Sequence, residues 1–240
     1  MVNVGLRLRL TLALLSACAA FASAQEAGAP AQRAEVTAHL AAARRGPTQR
    51  ADKNAPAVIW LNPLRGDAAT ATPGTFTLLQ KNKMFTPHLL VVPVGSSVAF
   101  PNADPFFHNV FSLFDGRRFD LGLYEAGSTR SVVFSREGVS YIFCNIHSEM
   151  SAVVISLATP LYSLADTRGV FHLANVPDGD YDLHVWIEGQ KQSSLDQLTH
   201  RVHVAGEVAD LGEIRSDRPE PQQHLNKFGR PYEPDTPPIY

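Results

Sequence analysis

Residues 141–150 read Tyr141-Ile142-Phe143-Cys144-Asn145-Ile146-His147-Ser148-Glu149-Met150. An alternating apolar segment ends at Cys144, and the next six residues add an imidazole at His147 and a thioether at Met150. A thiolate, an imidazole and a weak thioether select copper over zinc, because a thioether is a poor zinc ligand. One donor is missing from the stretch. His108, in Phe106-Phe107-His108-Asn109-Val110, is the candidate, since it follows an extended run, Leu89 to Phe100, that reads as a sheet strand. Two histidines and a cysteine then form a trigonal plane, with Met150 as the long axial ligand.

The order of these segments resembles the cupredoxin family: Val94-Gly95-Ser96-Ser97-Val98-Ala99-Phe100-Pro101-Asn102, then His108-Asn109-Val110, then Cys144-x-x-His147-x-x-Met150. The resemblance spans about residues 72–157. The short ligand loop is most similar to amicyanin and the plastocyanin-like copper proteins of methylamine utilisation. It implies a Greek-key β-sandwich, one type 1 copper held by His108, Cys144, His147 and Met150, and a role for Asn109, behind the metal ligands, in tying the two ligand segments together. One position departs from the pattern. Those proteins often carry an aromatic residue just before the methionine, where this chain has Glu149.

Two blander readings compete. A buried cysteine beside a core histidine is common without any metal, but the upstream His-Asn-Val in its strand context argues against coincidence. A cysteine-protease reading fails because no third group is in view to orient the histidine.

Outward from this centre, 240 residues at 45% hydrophobic with a formal net charge of −2 describe an ordinary globular chain, with no charge signal for nucleic acid or a membrane surface. Arg7 and Arg9 precede an apolar run from Leu10 to Phe21 and then Ala22-Ser23-Ala24, which reads as a cleaved secretory signal over residues 1–24. The run is too short to span a bilayer, and no later segment reaches the required length. A second reading takes Leu15-Ser16-Ala17-Cys18 as a lipobox with a lipid anchor at Cys18; the apolar run continuing past Cys18 favours simple cleavage. Either way the expectation is a periplasmic or secreted protein. Cleavage leaves Cys144 as the one cysteine, so no internal disulfide forms.

Residues 25–34 read as a flexible Ala/Gly/Pro/Gln lead. Short strands are expected at Glu35 to Leu40 and Ala57 to Leu61, with a charged loop between them. Thr75 to Val94 reads as strands broken at Asn82 and Pro87, and Pro93-Val94-Gly95-Ser96 reads as a turn that relaunches the chain into Val98 to Phe100. His88 within it reads as a structural sheet histidine. Leu113 to Gly122, with Asp115-Gly116-Arg117-Arg118, reads as a solvated turn with a small basic patch. Arg130 to Phe134, Val139 to Cys144 and Ser151 to Leu157 complete the copper domain, with Ile142 and Cys144 facing inward and Phe143 outward.

From Pro160 the pattern changes. Asp166-Thr167-Arg168-Gly169-Val170-Phe171 and Pro177-Asp178-Gly179-Asp180-Tyr181-Asp182-Leu183 resemble the carboxypeptidase regulatory-like (transthyretin-like) sandwich, with closing strands at Val202 to Val204 and Val208 to Ile214. About 55 residues make a thin core. Residues 35–65 are therefore expected to complete a discontinuous domain with 160–215, the copper domain 72–157 being inserted between them. His172, His184, His200 and His203 lack ligand spacing and read as unrelated. Residues 216–240, rich in proline, read as a disordered or draped tail.

The resulting expectation is an all-β, exported copper protein that is not an enzyme and carries one electron at a time between protein redox partners. A copper carrier or sensor, or an adhesion module that copper merely stabilises, are the alternatives.

Overall fold

The computed structural model describes residues 33–41, 55–65, 70–113, 116–215 and 224–232. The expected signal segment with Cys18, the lead through residue 32, and residues 216–223 and 233–240 of the tail lie outside the described residues. In chain order the elements are β1 (Arg33–Ala41), β2 (Ala57–Pro63), β3 (Thr75–Thr77), β4 (Leu79–Lys81), β5 (Met84–Thr86), β6 (Leu89–Pro93), β7 (Ser96–Pro101), β8 (His108–Ser112), β9 (Phe119–Tyr124), β10 (Thr129–Phe134), β11 (Gly138–Cys144), β12 (Ser151–Leu157), β13 (Tyr162–Leu164), β14 (Val170–Pro177), β15 (Gly179–Ile187), α1 (Gln192–Leu198), β16 (His200–Val204) and β17 (Val208–Arg215). The fold is all-β, and α1 is the single helix among the described residues. No described helix is long and apolar enough to cross a membrane.

Two sandwiches follow from the side-chain alternation of the strands. A five-stranded sheet, β6-β12-β11-β8-β9, and a three-stranded sheet, β10-β7-β3, enclose one core of Val92, Val98, Phe100, Val110, Phe134, Ile142, Cys144, Met150 and Val154. In β7 the buried residues are Ser96, Val98 and Phe100, every second position, as a strand with one face on the core requires. The other sandwich pairs β14-β1-β17 with β13-β2-β15-β16 around Val36, Ile59, Leu61, Phe171, Leu183 and Trp186. In these sheets β1 runs antiparallel to β14 and parallel to β17, and β2 lies between β13 and β15.

Strand β12 belongs to both cores. Ala152 and Val154 face the core that contains Cys144, whereas Val153, Ile155 and Leu157 face the other. A strand buried on both faces needs a continuous apolar run, and Ala152-Val153-Val154-Ile155 supplies one. The Trp186 indole N–H donates to Tyr141 Oη at 3.2 Å, a second link across the same boundary.

Two segments differ from the sequence expectations. Of Leu113 to Gly122, read as a solvated turn, Phe114 and Asp115 lie outside the described residues, and Phe119 onward instead forms edge strand β9, in which Phe119 and Leu121 pack on the core. Between Asn109/Leu123 and Phe111/Asp120 the pairing slips by one residue, and Gly122 sits there at φ 67°. This bulge moves the inward position to Tyr124 and breaks the period of two by which a strand is recognised. Helix α1 was not anticipated; its seven residues bury only Leu195.

His88 bridges the two sandwiches. Its Nε2 meets Glu188 Oε1 at 2.5 Å and its Nδ1 lies 3.1 Å from the Ser151 carbonyl. The hydrogen bond to Glu188 outweighs burial and raises the His88 pKa above 6.5. The stabilisation is therefore fully present below the unfolded pKa and lost as pH rises through the raised folded value. Both side chains are more than a third exposed, 41% and 37%, so solvent screening keeps the effect under about 1 kcal/mol. His88→Gln should lower stability by that amount at pH 6 and leave it nearly unchanged at pH 8.5, measured by urea unfolding. An equal loss at both pH values would show that the charge of His88 contributes nothing.

Candidate metal centre

Antiparallel pairing of β8 with β11 brings the donors together. Cys144 lies opposite Val110, and His108, two residues from Val110, projects from the same face of β8. The chain then turns through Asn145–Glu149 and re-enters the sheet as β12, with Phe143 opposite Ser151. This loop is closed by Cys144 N–H to the Met150 carbonyl (3.2 Å) and Met150 N–H to the His147 carbonyl (3.1 Å). The closure swings His147 back over Cys144.

The Nδ1 atoms of His108 and His147 each lie 3.6 Å from Cys144 Sγ, and the three donor atoms fall within 4.8 Å of one another. A metal held trigonally at about 2.0–2.1 Å from nitrogen and 2.3 Å from sulfur would set each N···S pair roughly 3.7–3.8 Å apart. The observed spacing is close to that, so the three side chains can hold a metal ion. His108 and Cys144 are fully buried, as is Met150, which belongs to the same core as Cys144. Among the described residues this is the one group of three metal-ligating side chains.

Each donor is held by groups behind it. His108 donates its Nε2–H to Asp104 Oδ2 at 2.9 Å, which fixes the tautomer that leaves the Nδ1 lone pair facing Cys144. Asp104 is only 5% exposed, and it accepts the backbone N–H groups of Asn82 (2.6 Å) and Lys83 (3.0 Å) at the β4–β5 turn. Both turn residues have φ of 55°, a conformation Lys83 adopts only at a cost, and the carboxylate holds it there. Burial works to raise the Asp104 carboxyl, but the bonds from Lys83, His108 and Asn82 outweigh it and hold the pKa below the usual value. Burial lowers the pKa of His108, with Asp104 opposing, and burial followed by the nearby His108 lowers that of His147. Both imidazoles are thus kept neutral, as a ligand must be. Burial pushes the Cys144 thiol up, while the backbone N–H groups of Asn109, Ile146 and His147 work the other way. Those three donors favour a thiolate once a cation is present.

Phe106 completes the frame, its ring 5.3 Å from His108 and 5.5 Å from His147, while the two imidazoles are 5.0 Å apart. Asn109 ties the segments through its main chain, its carbonyl accepting Asn145 N–H at 2.9 Å. Its side chain reaches instead to Asp120 at 2.6 Å. Asp104 and Phe106 were missed at the level of sequence, although an acidic residue four positions before a candidate ligand in Asn102-Ala103-Asp104-Pro105 was a usable signal. The four histidines of the second sandwich form no such group. His184 stacks on Trp60 at 5.2 Å, His203 pairs with Asp180 at 2.8 Å and His200 contacts the Leu198 carbonyl.

Loss of a partner that orients a metal-ligating histidine typically lowers affinity about 10–100-fold. Asp104→Asn is therefore expected to weaken metal binding by that factor, with a local loss of stability at the β4–β5 turn whose N–H groups the carboxylate accepts. A competition titration with a chelator measures it, and unchanged affinity would mean that Asp104 does not orient His108.

No protein-family model matches the chain, and no curated protein matches it. Among solved structures it is similar to a purple cupredoxin from Nitrosopumilus maritimus, 25% identical over 34% of this chain and 98% of that one, with a TM-score of 0.31. It is also similar to a reduced amicyanin mutant, 17% identical over 41% of this chain and 99% of that one (TM-score 0.32). A copper-containing nitrite reductase from Thermus scotoductus is 22% identical over 40% of this chain (TM-score 0.34), and the match spans only 25% of that enzyme.

Proposed function

We propose that this chain is an exported type 1 copper protein that carries single electrons between protein redox partners. The observation that carries this reading is a fully buried Cys144 thiol flanked at 3.6 Å by the Nδ1 atoms of His108 and His147. The buried thioether of Met150 stands in the same core as the axial candidate. Copper bound there would supply reversible one-electron exchange between Cu(II) and Cu(I). The protein's part is to hold the donors still. Asp104 locks the ring of His108, three backbone N–H groups support the sulfur, and Phe106 wedges both imidazoles, so that little rearrangement accompanies a change of oxidation state. His147, on the loop and only partly buried, is the ligand nearest to solvent and hence the route for an electron. Export to the periplasm or beyond rests on the signal-like residues 1–24, and the partners are proteins of unassigned identity.

Copper titration followed by voltammetry tests the reading. A shuttle should bind one copper tightly and cycle reversibly. Ready loss of Cu(I) to a competing chelator would instead identify a copper carrier or sensor, and binding activity unchanged without copper an adhesion module. Within the shuttle reading, Met150→Leu should raise the potential, because removing a donor disfavours Cu(II) more than Cu(I), and Met150→Gln should lower it. Each tenfold change in the relative affinity for the two oxidation states moves the potential by about 59 mV. Equal potentials in all three proteins would show that Met150 is not an axial ligand.

A further inference from the structure

The residues that hold the loop in place are not all in the copper-binding sandwich. Segment 224–232 returns from the far end of the chain and lies against the ligand loop. The His224 ring stacks on Phe143, the outward-facing neighbour of Cys144, with centroids 4.0 Å apart and planes 18° from parallel. Tyr232 meets the His224 ring edge-on at 5.2 Å. Three hydrogen bonds then bind the segment to the loop itself. Tyr232 Oη donates to the Cys144 carbonyl at 2.7 Å, Lys227 N–H donates to Asn145 Oδ1 at 3.0 Å, and His224 Nε2–H donates to the Ser148 carbonyl at 2.6 Å. A fourth contact, Lys227 Nζ to Asp120 Oδ2 at 2.8 Å, reaches the carboxylate whose other oxygen accepts the Asn109 side chain.

The segment has a shape of its own. Asn226 Oδ1 accepts the N–H groups of Phe228 (3.0 Å) and Arg230 (3.1 Å), and Gly229, at φ 72°, closes the turn. Burial raises the pKa of the Tyr232 hydroxyl, so it remains a neutral donor. The contacts at Asn145 and Ser148 bracket His147, the one proposed equatorial ligand that no strand carries.

We propose that His224–Tyr232 is a positioning strap that holds the Cys144–Met150 loop in its metal-binding conformation, with Tyr232 and His224 as its main anchors. The inference rests on the reading of this loop as the copper-ligand loop. A loop already ordered when the metal arrives loses less conformational freedom on binding, so the strap raises metal affinity. By reciprocity, bound metal holds the strap down by the same factor.

The test uses the full chain, wild type, Tyr232→Phe and Tyr232→Phe/His224→Ala. In the copper-free proteins the rate at which an aromatic disulfide reagent modifies Cys144 reports loop opening, alongside hydrogen exchange at residues 145–149. In the copper-loaded proteins the charge-transfer band and copper affinity are read. Tyr232→Phe should speed Cys144 modification by roughly 2- to 10-fold, the factor associated with one net hydrogen bond. The double variant should exceed it, with the band shifted, copper affinity reduced to a similar degree, and the urea midpoint of global unfolding unchanged. Equal modification rates in all three proteins would overturn the proposal. So would rates that rise only in proportion to a loss of global stability, since the segment would then be ordinary packing. If wild-type protein takes up no copper, the copper reading fails, and the thiol rates still decide whether the strap holds the loop.

Discussion

Cys144→Ser is expected to abolish the intense visible absorption of the copper-loaded protein. In the proposed type 1 site that colour would arise from charge transfer from a thiolate to Cu(II), and Cys144 is the one free thiol among the described residues. Its sulfur is fully buried between the two imidazoles, and the thioether of Met150 in the same core cannot supply a thiolate in its place. A serine hydroxyl is a harder and far less acidic ligand, and copper affinity should fall by more than the about 10–100-fold associated with losing an outer partner. The copper-free variant should still fold. The replacement is nearly isosteric, so the packing around position 144 is preserved. Absorption spectra and copper stoichiometry on the two proteins check this. An unchanged spectrum in the variant would rule out Cys144 as the source of the colour and the site as described.

Trp186→Ala is expected to be the most damaging single change away from the metal centre. Trp186 is 1% exposed, packs in the core of the second sandwich and donates to Tyr141, three residues before Cys144. Truncating a buried tryptophan costs about 3–5 kcal/mol, and small domains have only about 5–15 kcal/mol in total. Because β12 presents Val153, Ile155 and Leu157 to this core and Ala152 and Val154 to the other, the loss should be felt at the candidate metal centre as well. Chemical unfolding of the copper-loaded variant, followed by the fluorescence of Trp60 in β2 and by copper absorption, should show both signals moving together to lower denaturant. Two separate transitions, with the copper signal unshifted, would mean that the sandwiches unfold independently. Removal of the residues before Ala57 provides a related comparison, since it takes away β1, the middle strand of β14-β1-β17.

Much of this protein is legible in its sequence because the governing interactions are local. The apolar runs Val98 to Phe100 and Val139 to Cys144 specify strands, alternation sets Ile142 and Cys144 inward, and Asn82 and Pro87 mark breaks that separate β4, β5 and β6. A Cys-x-x-His-x-x-Met spacing restricts three soft or borderline donors to one short loop whatever the rest of the chain does, so a metal-binding reading follows from seven residues. Where the local period fails, the reading fails with it. The bulge at Gly122 hid β9, and α1, with one buried side chain, carries almost no amphipathic signal.

Tertiary structure decided the rest, because it concerns residues far apart in sequence whose meeting no local pattern encodes. That β1 lies between β14 and β17, that Asp104 is locked by the Asn82-Lys83 turn behind His108, and that both faces of β12 are covered all depend on how the sheets close around two cores. The same is true of Tyr232, 88 residues from the carbonyl it holds. A proline-rich tail has no apolar period of its own, and its 224–232 segment is ordered by the stacking surface of Phe143 and the polar groups of the ligand loop, which exist only once the sandwich has formed.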